Sequence, residues 1–197
     1  MIRHSISGLA LAGLLVGGTA WAKDKDSEKD KLKDRETLPQ KELNYGYAAL
    51  YDAAKGLRHS DKILLIKYES EAVQARVGEL SAAMGRITKR LEELAKADPR
   101  VKLDDDGNPE IERRKRDAVT RDRLISFKPF TGRTGANFER TLLLSESGAL
   151  NQLQHLAAEL DKADPDPQRS AVLQEIHAEI VKQYGAVVDL LERAYFR

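Results

Sequence analysis

Residues 73–94, VQARVGELSAAMGRITKRLEEL, place Val73, Val77, Leu80, Met84, Ile87, Leu91 and Leu94 at alternating steps of four and three. A step of four and three is the spacing of side chains that share one face of an α-helix. Held over three heptads, it makes the seam of a helix packed along another helix. Ile66 lies one heptad upstream, so the pattern predicts one helix from Asp61 to Ala97, about 55 Å long at 1.5 Å per residue. Asp98-Pro99 stops it, because proline disfavours helical backbone at the residue before it.

The same period recurs on both sides. Leu43, Tyr47, Leu50, Ala54 and Leu57 step by four and three after Pro39, and Gly56 with His59-Ser60-Asp61 marks a break and a new start. Leu143, Leu150, Leu153, Ala157 and Leu160 share a face of a helix expected from Ala136 to Lys162. Asp164-Pro165-Asp166-Pro167 ends that helix and begins the last, Gln168 to Tyr195, which presents Leu173, Ile176, Ile180, Tyr184, Val187, Leu191 and Ala194. A shorter helix from Glu110 to Ser126 has Ile111, Ala118, Val119 and Ile125 as its apolar positions. Three long and two shorter helices joined by short turns predict an all-α, antiparallel up-and-down bundle.

Between the second and third of these helices, residues 98–109 end in LDDDGNP, a strong turn signal. A calcium loop of the EF-hand kind fails on register. With Gly107 at the glycine position, Lys102 and Arg113 fall where carboxylates are required. An acidic turn remains, with a short hairpin between Val101-Lys102-Leu103 and Glu110-Ile111 as one form of it. The connection FKPFTGRTG at 127–135 reads as irregular, and its glycines lack the lysine and hydroxyl residue of a phosphate-binding loop.

The N-terminus reads as an address. Residues 1–22, MIRHSISGLALAGLLVGGTAWA, join one cation at Arg3 to an apolar stretch and then to Ala20-Trp21-Ala22, a small-x-small cleavage pattern. That stretch falls short of the roughly 20 apolar residues of a membrane span, so residues 1–22 are expected to be a signal peptide and the protein periplasmic or secreted. Residues 23–37, KDKDSEKDKLKDRET, hold one apolar residue, Leu32, and are expected to form a flexible charged tether. Residues 38–197 are left as a single helical-bundle domain.

Composition narrows the chemistry. The chain has no cysteine, which excludes disulfides, thiolate nucleophiles and cysteine metal ligands. Its 33 lysines and arginines face 32 aspartates and glutamates, so any electrostatic function is local. One such locality stands out between Arg113 and Arg133. Arg113, Arg114, Lys115, Arg116, Arg121, Arg123, Lys128 and Arg133 face only Asp117 and Asp122, beside Phe127 and Phe130. A basic helix running into an aromatic loop suits an anionic envelope component such as lipid head groups or cell-wall polymer. Nucleic acid is not expected as the partner of an exported protein. The bland counterpart is a solvated face whose cations pair with Glu110, Glu112 and the Asp104–Asp106 turn.

Catalytic motifs are thin. His59-Ser60-Asp61 holds the residue types of a triad, but neighbours on a turn point apart, and His155 lies opposite the leucine face of its helix. Met84, the one methionine beyond Met1, sits in the apolar seam and reads as core and not as a haem ligand. Glu139 and Glu146 are the exceptions, because they fall inside the apolar stripe of the Ala136–Lys162 helix. A buried carboxylate is costly unless a cation, metal or donor satisfies it. With Glu69 at a seam edge and His177 near an apolar face, they make a candidate site for iron, manganese or zinc.

In this respect the chain is similar in overall look to small exported bundles of the ferritin-like superfamily, which hold two irons on carboxylates and histidines of facing helices. The Glu-x-x-His pair of those proteins is absent, so the likeness transfers no residue. The leading expectation is a non-catalytic binding or structural module with no cofactor, meeting an envelope protein or anionic envelope component, or a second copy of itself in a homo-oligomer. The metal-binding bundle is the alternative.

Overall fold

The computed structural model describes residues 38–64, 70–104, 110–126 and 135–196; residues 1–22 and 23–37, expected to be a signal peptide and a tether, lie outside them. Every regular element among the described residues is a helix: α1 Gln40–Leu57, α2 Asp61–Leu64, α3 Glu71–Ala97, α4 Glu110–Ser126, α5 Gly135–Ala163 and α6 Pro167–Tyr195.

Four helices close a ring in which α1 packs on α3 and α5, and α6 packs on α3 and α5. The side-chain bonds between them give the directions. Tyr51 Oη donates to Glu92, whereas further along α1, past its end, the Asp61 N–H donates to Ser81 Oγ, so α1 and α3 run antiparallel. Arg76 meets Gln183 and Arg90 meets Glu175, so α3 and α6 are antiparallel as well. The short 164–166 turn reverses α5 into α6. The all-α, antiparallel up-and-down bundle expected from the periodicity is what the chain forms.

Inside the ring the expected seams meet. Val73, Val77, Leu80, Met84, Ile87 and Leu91 of α3 are buried against Leu43, Tyr47, Leu50, Ala54 and Leu57 of α1, and against Leu143, Leu150, Leu153 and Ala157 of α5 within one apolar cluster. Each large apolar side chain removed from water here contributes about 1.5 to 3 kcal/mol. Gly46 lets α1 come close to α5, since a Cβ there would stand 2.4 Å from Leu160 Cδ2. Ala194, expected on the apolar face of α6, is exposed.

Three sequence expectations are corrected. The helix predicted over Asp61–Ala97 is not continuous: after the α2 turn, Ser70 stands extended at φ −62°, ψ 145° and is the N-cap of α3. Its backbone N–H donates to the Glu139 carboxylate of α5 and not to a helical carbonyl. The 101–103/110–111 hairpin does not form, because Glu110 and Ile111 open α4, while Val101 turns inward and is buried at the end of the bundle. Ile111 and Val119, expected on a packing face of α4, are 73% and 53% exposed.

Helix lengths give the bundle two unlike ends. With 18 residues, α1 covers about 27 Å, against about 44 Å for the 29 residues of α5. Tyr47 and Gly46 fix α1 at the 164 end of α5. Glu139 therefore lies toward the end that α1 does not reach.

Candidate functional site

Three groups of polar residues are placed by this frame. The first is the pair of seam glutamates on α5. Glu146 is fully buried, with both carboxylate oxygens shielded from solvent, and Glu139 is 8% exposed. Glu139 Oε1 accepts the Ser70 N–H at 2.5 Å, and its Oε2 accepts the Tyr195 hydroxyl. One carboxylate thus ties the start of α3, the start of α5 and the end of α6 together. The burial read from the helical period is correct, and the donors that hold Glu139 come from segments that period does not connect.

The structure spreads the remaining metal candidates. His177 stands half-buried on the same continuous helix as Tyr195, and 18 residues of α6 set them about 27 Å apart along the axis. Since Tyr195 marks the level of Glu139, His177 and Glu139 are not brought together. Glu69 lies outside the described residues. Among the described residues, no group of three or more histidines, aspartates and glutamates is arranged to hold a metal ion.

A hydrogen bond to a charged acceptor contributes about 1.5 to 3 kcal/mol. Tyr195→Phe, which removes one such bond to Glu139, is expected to lower stability by about that much in a urea melt. An unchanged midpoint refutes the three-helix tie. Loss of stoichiometric metal from Glu139→Gln, measured on protein purified without chelator, favours the metal site instead.

The second group was not foreseen. At the opposite end, Asp164 and Tyr47 are fully buried and Arg169 is 2% exposed. Tyr47 Oη donates to Asp164 Oδ2 at 2.8 Å, and Arg169 Nε and Nη2 donate to Asp164 at 2.8 to 3.0 Å. Arg169 Nη1 reaches Asp98 Oδ2 at 3.0 Å, and Arg100 Nη2 bridges Asp98 and Asp166 at 2.8 and 3.0 Å. Asp166 also caps α6 by accepting from the Gln168 and Arg169 N–H groups.

Each of these charges meets an opposite charge, so the knot joins α1, the 98–103 loop and the 164–166 turn. Burial, then the bond to Asp164, pushes the Tyr47 phenol far above its ordinary pKa. The Arg100 guanidinium holds Asp98 well below the carboxylate range, and the Arg169 backbone N–H lowers Asp166. One signal was present in the sequence: Glu-Leu-x-Lys-Ala-Asp-Pro occurs at 93–99 and again at 159–165, and both of its aspartates converge on Arg169.

The third group is the basic segment. Among described side chains, α4 contributes nothing to the apolar cluster, and Arg116 ties it to α1 through Asp52 at 3.3 Å. Arg114, Lys115 and Arg121 are exposed. Arg114 pairs with Glu110 at 2.9 Å and Lys115 with Glu112 at 2.6 Å, part of the neutralisation that a solvated face would show. Exposed pairs of this kind contribute about 0 to 1 kcal/mol and exchange readily for an external anion. Phe127, Lys128, Phe130 and Arg133 lie outside the described residues, as do the Arg113 and Arg123 side chains. No protein-family model, curated protein or solved structure matches the chain.

Proposed function

We propose that the protein is an exported, non-catalytic module of the bacterial envelope, periplasmic or secreted, that presents α4 to an anionic envelope component while the four-helix ring serves as its scaffold. The observation that supports this most is the division of labour between helices. The ring helices carry the buried seams, whereas α4 puts charged side chains and two large apolar ones into solvent. The described side chains of α4 contribute nothing to the apolar cluster, and a segment with eight cations against two acids between Arg113 and Arg133 attracts anions. No described helix is long and apolar enough to cross a membrane.

Reversing Arg114, Lys115 and Arg121 to glutamate tests the reading, because all three are exposed and none is part of the core. The wild-type protein, recovered from the extracytoplasmic fraction with Lys23 as its first residue, is expected to bind anionic vesicles or lipopolysaccharide at low salt and to lose that binding as salt rises. The reversed variant is expected not to bind. Equal binding by both removes α4 as the contact, and an absence of binding by the wild-type protein leaves the solvated-face account standing.

A further inference from the structure

We infer that the surface α4 meets is an anionic lipid bilayer, with Ile111 and Val119 entering the boundary between head groups and acyl chains. The inference rests on α4 being the binding element and adds what that element reads. At 100° per residue, Ile111, Lys115 and Val119 fall on one i, i+4, i+8 row, with Ala118 beside it. All four side chains are exposed. Arg116, the residue that ties α4 to Asp52, lies about 140° around the helix from Ile111 and about 60° from Val119. Ile111 thus points away from the mooring that holds α4 to α1. Arg114 and Arg121 flank the row on its other side.

Charge on this face does not by itself choose the partner. The exposed Arg114, Lys115 and Arg121 share the face with Glu110, Asp117 and Asp122. The sign comes from the helix as a whole, six cations to four acids, and from the excess that continues to Arg133. Selectivity comes from the apolar row. Single exposed apolar residues are ordinary on a protein surface, but here two exposed β-branched side chains share one side of α4, about 80° apart, with Lys115 and Asp122 between them and arginines alongside. Lysine and arginine stems lie along apolar surface while their charges stay among head groups. A sugar-phosphate polymer supplies counter-charges and no apolar phase for Ile111 and Val119, whereas a bilayer supplies both.

The experiment compares the wild-type exported protein with an Ile111→Ser/Val119→Ser variant, by co-sedimentation with phosphatidylglycerol-containing vesicles, with pure phosphatidylcholine vesicles, and by binding to soluble polyphosphate. Both positions are exposed, and circular dichroism checks that the helices persist. The expected result is binding to the phosphatidylglycerol vesicles that falls about tenfold in the double variant, little binding to phosphatidylcholine, and polyphosphate binding that the substitutions leave unchanged. Equal vesicle binding by the two proteins, or wild-type binding to polyphosphate without vesicles, overturns the bilayer while leaving α4 as an anion-binding element. No binding to any of the three at low salt takes down both readings.

Discussion

Asp164→Ala is expected to destabilise the protein by about 3 to 5 kcal/mol, the range seen when one partner of a buried ion pair is removed. Asp164 accepts from the Tyr47 hydroxyl, from two nitrogens of Arg169 and from the Asp166 N–H. Truncation leaves a guanidinium that is 2% exposed with Asp98 as its remaining carboxylate, and a fully buried phenol without that acceptor. Loss of Tyr47's partner also loosens α1, which this bond fastens to the 164–166 turn. A combined Asp164→Leu/Arg169→Met variant is expected to recover part of the loss, because it removes both charges together and fills their space with apolar atoms. Urea denaturation of the three proteins decides it. If Asp164→Ala melts with the wild type, the knot is not holding that end of the bundle.

The pH range of the knot follows from the same contacts. Asp98 is held below the usual carboxylate range first by the Arg100 side chain, and Asp166 first by the Arg169 backbone N–H. A carboxylate whose folded pKa is depressed contributes stability that is present above its unfolded pKa, about 4, and is lost as the pH falls through the folded value. Tyr47 works in the other direction. Its raised folded pKa gives a contribution that is complete below about pH 10 and is lost only as the pH climbs through the folded value. The knot is therefore intact between those two limits, which suits a fixed joint and not a switch.

Much of this architecture was legible in the sequence, for a reason visible at individual positions. Leu43, Tyr47, Leu50, Ala54 and Leu57 are all buried because a helix laid along another must bury a stripe of period 3.6, and that period is local information. Glu139 and Glu146 were legible as buried for the same reason. What holds Glu139 was not, since Tyr195 lies 56 residues from it and nothing in the spacing links the two. Asp98-Pro99 and Asp164-Pro165 were read as helix stops, correctly, and their second role was missed because aspartates in turns are ordinarily solvated. The error at α4 has a different origin. Ile111 and Ala118 are one heptad apart, as core positions are, but the residues around them are so charged that burying this face would desolvate more than its apolar atoms return.

Leu80→Ala and Ile111→Ala turn that distinction into a measurement. Leu80 has no exposed surface and sits among Val77, Ala83 and Met84 in the centre of the seam that first indicated a bundle. Removing its branched end takes apolar atoms out of a packed core and leaves a void that neighbours fill only in part, so a loss of about 2 to 5 kcal/mol is expected. Ile111 occupies a position of equal apolar character in sequence, yet with 73% of its surface in water it has little burial to lose. Alanine is also the better helix former, so Ile111→Ala is expected to change stability by less than about 0.5 kcal/mol in either direction. Thermal or urea melts that give comparable losses for the two variants would place α4 within the cooperative core, and an exposed face for envelope contact would go with that result. A large loss for Leu80 beside a negligible one for Ile111 is the result that an exposed contact face on α4 requires.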